Sequence, residues 1–157
     1  MHRSPTALAE GARSEISNAL LASLHDGLDL QNQLKVAHWT VRGPHFKSVH
    51  ELFDTIAATT TTANDDVAER VATLGGIAYA TARNVAKASR LPDLPQVQKD
   101  LELVKLIEQR LQKHLEGLRS ARKVADGAGD IDTSDLITGQ LDVYEKHAWM
   151  LIATLGE

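Results

Sequence analysis

Residues 35–76 read KVAHWTVRGPHFKSVHELFDTIAATTTTANDDVAERVATLGG, and this stretch decides the fold. Proline is favoured in the first turn of a helix and glycine just after its end, so Pro44 and Gly75-Gly76 bracket one predicted helix, Phe46–Leu74. The run Thr59–Thr62 is unusual inside a helix, because β-branched residues lose rotamer freedom there. The apolar pattern resumes in register after the threonines, and the prediction is therefore one unbroken helix.

One face of this helix carries four side chains that can bind a metal. They are His50, Asp54, Asp65 and Glu69. A helix turns about 100° per residue, which places all four in a strip about 100° wide, whereas the neighbouring Asp66 falls about 160° from His50. Taken separately, the two i,i+4 pairs favour a solvated helix face, because most such pairs are merely exposed. Their joint pattern favours a metal site.

The four side chains cannot form one site within one chain. Asp54 and Asp65 lie about 16 Å apart along a helix, whereas bonds from ligands to a transition metal are about 2 Å long. A second copy of the helix, running antiparallel across a two-fold axis, would bring His50 and Asp54 of one chain to Asp65 and Glu69 of the other. Symmetry would then give two equal sites per dimer. The pattern therefore predicts a dimer.

Composition narrows the class of protein. The chain has 157 residues, of which 43% are hydrophobic and 24% charged, with a net charge of −4 and a pI of about 6.0. This length predicts one domain, and this charge argues against a strongly nucleic-acid-binding body. The absence of cysteine excludes disulfides and thiolate chemistry. No apolar run is long enough to cross a bilayer and no signal-peptide core follows Met1, so we expect a cytoplasmic protein.

Helical periodicity extends over most of the chain. Residues 1–12 are predicted to be a flexible tail, and residues 13–157 one domain. The predicted helices are Ser14–Thr40, Phe46–Leu74, a short piece at Ala80–Ala88, Gln96–Val124 and a last helix from Thr133 onward. Four long amphipathic helices with a long link between the second and third predict an all-α, ferritin-like four-helix bundle, with a short extra helix in that link.

Two segments, AHWTVRGPHFKSVHELFD and DDVAERVATLGG, resemble the signature of the Dps proteins, the mini-ferritins named as DNA-binding proteins of starved cells. The resemblance covers residues 20–155, including the late tryptophan in KHAWML. It implies an iron site at His38, His50 and Asp54, completed by Asp65 and Glu69 of a two-fold-related subunit. True ferritins use a Glu-x-x-His pair within the bundle, and this chain contains none.

The resemblance also implies a function. Twelve subunits would form a shell, built from two-fold dimers, around a cavity. Fe(II), two ions per inter-subunit site, would be oxidised by hydrogen peroxide or O2, and ferric mineral would be stored inside, protecting against oxidative stress. Zn(II) would compete for the same ligands. The alternative is a DNA-compacting or zinc-holding structural shell without significant ferroxidase activity.

Other residues have two interpretations each. Trp39 and Trp149 could trap stray oxidising equivalents, but core packing is the favoured prediction. Asp66 is expected to pair with Arg70 at i+4, and His45 to start a helix. His25, His114 and His147 lack carboxylates at ligand spacing and are expected to be structural or exposed.

A cluster of acids precedes and begins the last helix. Its members are Asp126, Asp130, Asp132 and Asp135. These acids could cap the helix, or they could line an iron entrance, which the resemblance places on three-fold axes. Asp132 and Asp135 are the better candidates for such an entrance.

DNA binding is not favoured by the ends of the chain. Family members that bind DNA commonly use lysine-rich tails that contact phosphates. The N-terminal MHRSPTALAEGARSE has two arginines, two glutamates and no lysine, and the C-terminus ends at LGE without a tail. We therefore expect iron oxidation and storage rather than DNA compaction.

Overall fold

The structure, a computed structural model, describes residues 1–157 and contains five helices and no sheet. The helices are α1 (Glu10–Thr40), α2 (Phe46–Thr73), α3 (Ala82–Ala88), α4 (Asp100–Gly127) and α5 (Ile131–Leu155). The prediction of a four-helix, ferritin-like bundle with a short extra helix in the long connection is confirmed. None of the helices combines the length and the apolar character that crossing a membrane would require.

Two helical hairpins pack together to form the bundle. Helices α1 and α2 pack along each other, as do α4 and α5, while α1 also packs on α4. The core between them is a continuous cluster of leucine, isoleucine, valine and alanine side chains, in which Phe53 and Tyr144 are the bulkiest fully buried residues. Burying this apolar surface is the main source of the bundle's stability.

A buried ion pair fixes the connection between the hairpins. The carboxylate of Asp26, in α1, is fully buried. It accepts hydrogen bonds from the backbone N–H of Arg90 at 2.8 Å and from the guanidinium of Arg90 at 2.6 and 3.0 Å. Because these bonds compensate the buried charge, the segment after α3 is held against α1.

Helix α2 is unbroken through its threonine run, as predicted. The hydroxyl groups of Thr59, Thr60 and Thr61 donate to the carbonyl groups four residues earlier, at 3.1, 2.8 and 2.9 Å. These three hydroxyls are therefore satisfied within the helix itself. The strip of candidate ligands consequently lies on one continuous helix.

The N-terminal residues contact the end of α2. Helix α1 begins at Glu10, inside the predicted tail, and the backbone N–H of His2 donates to the carbonyl of Gly75 at 2.8 Å. The guanidinium of Arg13 donates to the carbonyl of Leu74, also at 2.8 Å. These bonds satisfy carbonyl groups at the C-terminal end of α2 that have no partner in the helix. The mobility of residues 1–12 stays a prediction.

Candidate metal centre

Two histidines meet where α1 ends and α2 begins. His38 lies in the last turn of α1 and His50 in the first turns of α2, and their rings stack with centroids 3.7 Å apart. His38 Nδ1 lies 2.9 Å from the carbonyl oxygen of His50, and His50 Nδ1 lies 2.8 Å from the carbonyl oxygen of His38. A carbonyl can only accept, so each Nδ1 carries a proton, and in the neutral ring Nε2 keeps a free lone pair. Both rings are therefore fixed in the tautomer that binds a metal through Nε2.

Asp54 lies one turn beyond His50 and pairs with a lysine. Lys35 Nζ is 2.7 Å from Asp54 Oδ1, and both side chains are partly exposed. The hydrogen bond and positive charge of Lys35 lower the pKa of Asp54, and His38 and His50 act in the same direction in their protonated form. Lys35 was not among the residues predicted at this site. Because α1 and α2 run antiparallel, a residue one turn before His38 must face a residue one turn after His50, and this spacing could have identified the pair.

Asp65 and Glu69 occupy the far half of the same helix. Both are exposed, and neither makes an ion pair within the chain. About 16 Å of helix separates Asp65 from Asp54, and nowhere do three histidine, aspartate or glutamate side chains of one chain converge on a possible metal position. One chain therefore presents two incomplete sets of candidate ligands, one at each end of the strip.

The predicted pairing of Asp66 with Arg70 is wrong. Arg70 turns instead toward α5, where its guanidinium donates to Asp130 Oδ1 and to the hydroxyl of Thr133, each at 2.7 Å. Asp130 is only 4% exposed, and its carboxylate accepts from the backbone N–H of Thr133 as the N-cap of α5. Leaving a buried carboxylate unpaired costs much more free energy than leaving an exposed one unpaired, so Arg70 pairs with Asp130 rather than with Asp66. Burial raises the pKa of Asp130, but the hydrogen bonds from Thr133 and Arg70 lower it by more. The pKa of this carboxyl is therefore below its usual range.

The remaining acids near the start of α5 differ in their surroundings. Asp132 and Asp135 are exposed, and Asp132 Oδ2 lies 4.0 Å from Arg70. Asp126 accepts a hydrogen bond of 2.6 Å from the hydroxyl of Ser134. The prediction that these acids cap the helix is confirmed for Asp130, whose carboxylate accepts its hydrogen bonds from within the chain. An iron entrance at the other three acids stays a prediction.

The expected core packing of the tryptophans is wrong for the single chain. Trp39 is 68% exposed and Trp149 is 62% exposed. Each follows a residue of the inward face, Trp39 after the partly buried His38 and Trp149 after the buried Ala148. A step of about 100° turns the next residue away from the bundle. Tryptophan is enriched at the surfaces by which one protein contacts another.

The other histidines have structural positions, as expected. His45 precedes the first residue of α2 as its N-cap. His114 and His147 are buried, and His147 Nε2 lies 3.1 Å from the hydroxyl of Thr59. Burial lowers the pKa of both, that of His114 to about 4. His25 is half-buried, and its Nε2 has no hydrogen-bond partner within the chain.

Four long helices in two hairpins, linked by a crossover that carries a short helix, define a ferritin-like protein. Residues 17–157 match the model of the ferritin-like domain. The chain is 32% identical to the DNA protection during starvation protein of Agrobacterium fabrum, covering 99% of this chain and 97% of that protein. It is 30% identical to DNA protection during starvation protein 2 of Bacillus anthracis, covering 91% and 98%.

Solved structures agree with this assignment. DpsC from Streptomyces coelicolor superimposes with a TM-score of 0.92 and 30% identity, covering 98% of this chain and 90% of that one. DpsA14 from the same organism superimposes with a TM-score of 0.92 and 32% identity, covering 97% and 90%. Within the ferritin-like class, the chain belongs to the Dps family.

Proposed function

We propose that this protein oxidises Fe(II) and stores the ferric product in a shell of identical subunits. The preformed histidine pair at the end of the ligand strip supports this proposal most strongly. Two imidazoles with free Nε2 lone pairs, next to a carboxylate, suit iron better than they suit Mg²⁺ or Ca²⁺, which prefer oxygen ligands. Membership of the Dps family supports the same assignment.

The complete site would form between two chains. His38, His50 and Asp54 would supply one half, and Asp65 and Glu69 of a two-fold partner the other half. Two such sites would arise in each dimer, because a two-fold axis repeats every contact. The exposed tryptophans and the unpaired acids of α2 are consistent with surfaces that a second chain covers.

The ligand set suggests how the oxidation proceeds. Two Fe(II) ions held together each give one electron to a single hydrogen peroxide, whose O–O bond breaks. With two protons, the products are two waters and two Fe(III), so no hydroxyl radical is released. Lys35 neutralises Asp54 in the free chain and would have to move aside as a cation binds there. O2 is the alternative oxidant, and Zn(II) a competitor for the same ligands.

The shell would contain twelve subunits and act in the cytoplasm. Asp132, Asp135 and Asp126 are candidates for an entrance that attracts Fe(II), since rings of carboxylates raise the local concentration of cations. Trp39, exposed beside His38, is a candidate trap for stray oxidising equivalents.

Protection of DNA would follow from removing Fe(II) and peroxide rather than from binding DNA. The first fifteen residues contain only two arginines and no lysine. One of them, Arg13, already donates to the carbonyl groups of Leu74 and His2. Few free cations therefore remain in this segment to contact phosphates. Clear retardation of DNA by the assembled protein in a low-salt gel-shift assay would contradict this view.

A complementation experiment tests the split site. One variant carries His50→Ala and Asp54→Ala, and the second carries Asp65→Ala and Glu69→Ala. Neither has an intact site when assembled alone, whereas a mixed dimer regains one of its two sites. Random assembly of equal amounts should therefore restore about one quarter of the wild-type rate, since half of the dimers are mixed. The rate is measured as the rise in ferric absorbance after Fe(II) and peroxide are added.

The control mixes the first variant with His38→Ala, which removes ligands from the same half, and should recover no activity. If either variant alone oxidises Fe(II) at the wild-type rate, the ligand assignment is wrong. If both are inactive and the mixture is also inactive, the ligands do not come from two chains. If the wild type does not oxidise Fe(II) but binds Zn(II), the protein is a structural shell.

A further inference from the structure

The carboxylate of Asp100 connects the start of α4 to the turn between α1 and α2. One oxygen, Oδ2, accepts from the backbone N–H of His45 at 2.7 Å and lies 3.0 Å from His45 Nδ1. The other, Oδ1, accepts from the backbone N–H of Leu101 at 2.9 Å. The side chain is 10% exposed. Asp100 is thus a largely buried acceptor whose two oxygens hold different segments of the chain.

The turn itself is built to receive this carboxylate. Gly43 has a φ of +146°, and a Cβ there would lie 2.5 Å from the carboxyl carbon of Asp100. Glycine permits both the backbone conformation and the close approach. The backbone adds two bonds between the same segments: Arg42 N–H donates to the Gln98 carbonyl at 2.7 Å, and Asp100 N–H donates to the Arg42 carbonyl at 3.0 Å.

This turn sets the geometry of the histidine pair. His38 and His50 lie on either side of it, and the one hydrogen bond that each ring makes within the chain is to the backbone carbonyl of the other residue. A change in the angle or separation of the ends of α1 and α2 would lengthen both bonds at once. Hydrogen bonds weaken steeply with distance and angle, so the rings would lose their fixed tautomer and orientation.

We propose that Asp100 is a positioning residue for the metal site, acting through the α1–α2 turn on the His38–His50 pair. The consequence for metal binding rests on the proposed function, whereas the effect on the orientation of the two rings is independent of iron. Asp100 itself is not among the predicted ligands; its two oxygens accept hydrogen bonds from the α1–α2 turn and from the start of α4. Groups that orient ligands in this way typically change metal affinity by about 10- to 100-fold when they are removed.

The test compares Asp100→Asn with a matched control, Asp130→Asn. Both acids lie at the start of a helix and accept bonds from backbone N–H and side-chain groups, but only Asp100 contacts the α1–α2 turn. In Asp100→Asn, the amide NH2 replaces one acceptor and faces an N–H donor. Asp100→Ser, which replaces the carboxylate by a shorter hydroxyl side chain, provides a second variant if the first does not fold.

Three measurements are made on each metal-free variant: the nitrogen and proton NMR signals of the histidine rings, the affinity for Zn(II), and urea unfolding. We expect the His38 and His50 signals of Asp100→Asn to move from the Nδ1–H form toward a mixture of tautomers. Zn(II) affinity should fall about tenfold, the low end of the range for orienting groups. Asp130→Asn should lose stability but keep the wild-type ring signals and affinity.

Unchanged ring signals and Zn(II) affinity in a folded Asp100 variant would overturn the proposal. Equal losses in Asp100→Asn and Asp130→Asn would also overturn it, because they would reflect general destabilisation. Failure of the proposed function has a different signature: the wild type would then fail to oxidise Fe(II), whatever the ring signals of the variants.

Discussion

Lowering the pH from 6.5 to 4 should destabilise the metal-free protein through His114. The ring of His114 is 3% exposed, stacks edge-on against Tyr144 at 5.0 Å, and has no hydrogen-bond partner at Nδ1. Burial lowers its pKa from 6.5 to about 4, because the charged ring would lose its hydration; Asp26 opposes this shift and Arg90 adds to it.

The sign of the effect follows from proton binding. Between pH 6.5 and 4 the unfolded chain binds a proton at this residue that the folded chain does not, so the free energy of unfolding falls as the pH falls. The gap between 6.5 and about 4 corresponds to about 3 kcal/mol per chain, at about 1.4 kcal/mol for each pH unit. His147, whose pKa burial also lowers, acts in the same direction. The carboxylates whose pKa is lowered in the folded protein reduce the free energy of unfolding mainly below pH 4, where they become protonated.

His114→Phe removes this titration while keeping a planar ring against Tyr144. Between pH 6.5 and 4, we expect the free energy of unfolding of the variant to fall by about 3 kcal/mol less than that of the wild type. Urea unfolding, followed by far-ultraviolet circular dichroism at a fixed protein concentration, measures the difference, because assembly makes stability depend on concentration. If the variant and the wild type lose stability in parallel over this range, the ring of His114 is protonated in the folded protein and the reasoning is refuted.

Two further predictions concern ion pairs. Lys35→Met should raise the affinity of the assembled protein for Zn(II) a few-fold, because the ammonium group 2.7 Å from Asp54 competes with the metal for that carboxylate. Isothermal titration calorimetry measures this affinity. An unchanged affinity would show that Lys35 does not compete with the metal. Arg90→Ala should lower the free energy of unfolding by about 2–3 kcal/mol, since it leaves Asp26 buried without its cation. In the same urea assay Lys113→Ala, which removes an exposed ion pair, should cause no measurable loss; equal losses in these two variants would show that burial does not set the cost.

Local sequence patterns were enough to predict the long helices and the continuous helix that carries the candidate ligands. The strip on α2 depends only on helical periodicity, and that helix is unbroken from Phe46 to Thr73. The N-cap at Asp130 is equally local, because an aspartate there bonds to a backbone N–H three residues on. Such features involve residues within a few positions of each other, and their geometry follows from the backbone conformation alone.

Contacts between helices could not be predicted in the same way. The preference of Arg70 for Asp130 over Asp66 depends on α5 lying beside α2, and on burial of the carboxylate there. The exposure of Trp39 likewise depends on which face of α1 the other helices cover. Sequence spacing gives the angle of a residue on its own helix but not the register of the neighbouring helix.

The sequence by itself determined that the chain is a helical bundle with a histidine, an aspartate and a second acidic pair along one helix. Only the tertiary structure decided that His38 and His50 hold each other by their backbone carbonyls, and that Asp100 locks the turn between them. The physical reason is range. Helix formation follows from interactions between near neighbours, whereas each of these hydrogen bonds joins atoms that only the packing of separate helices brings within 3 Å.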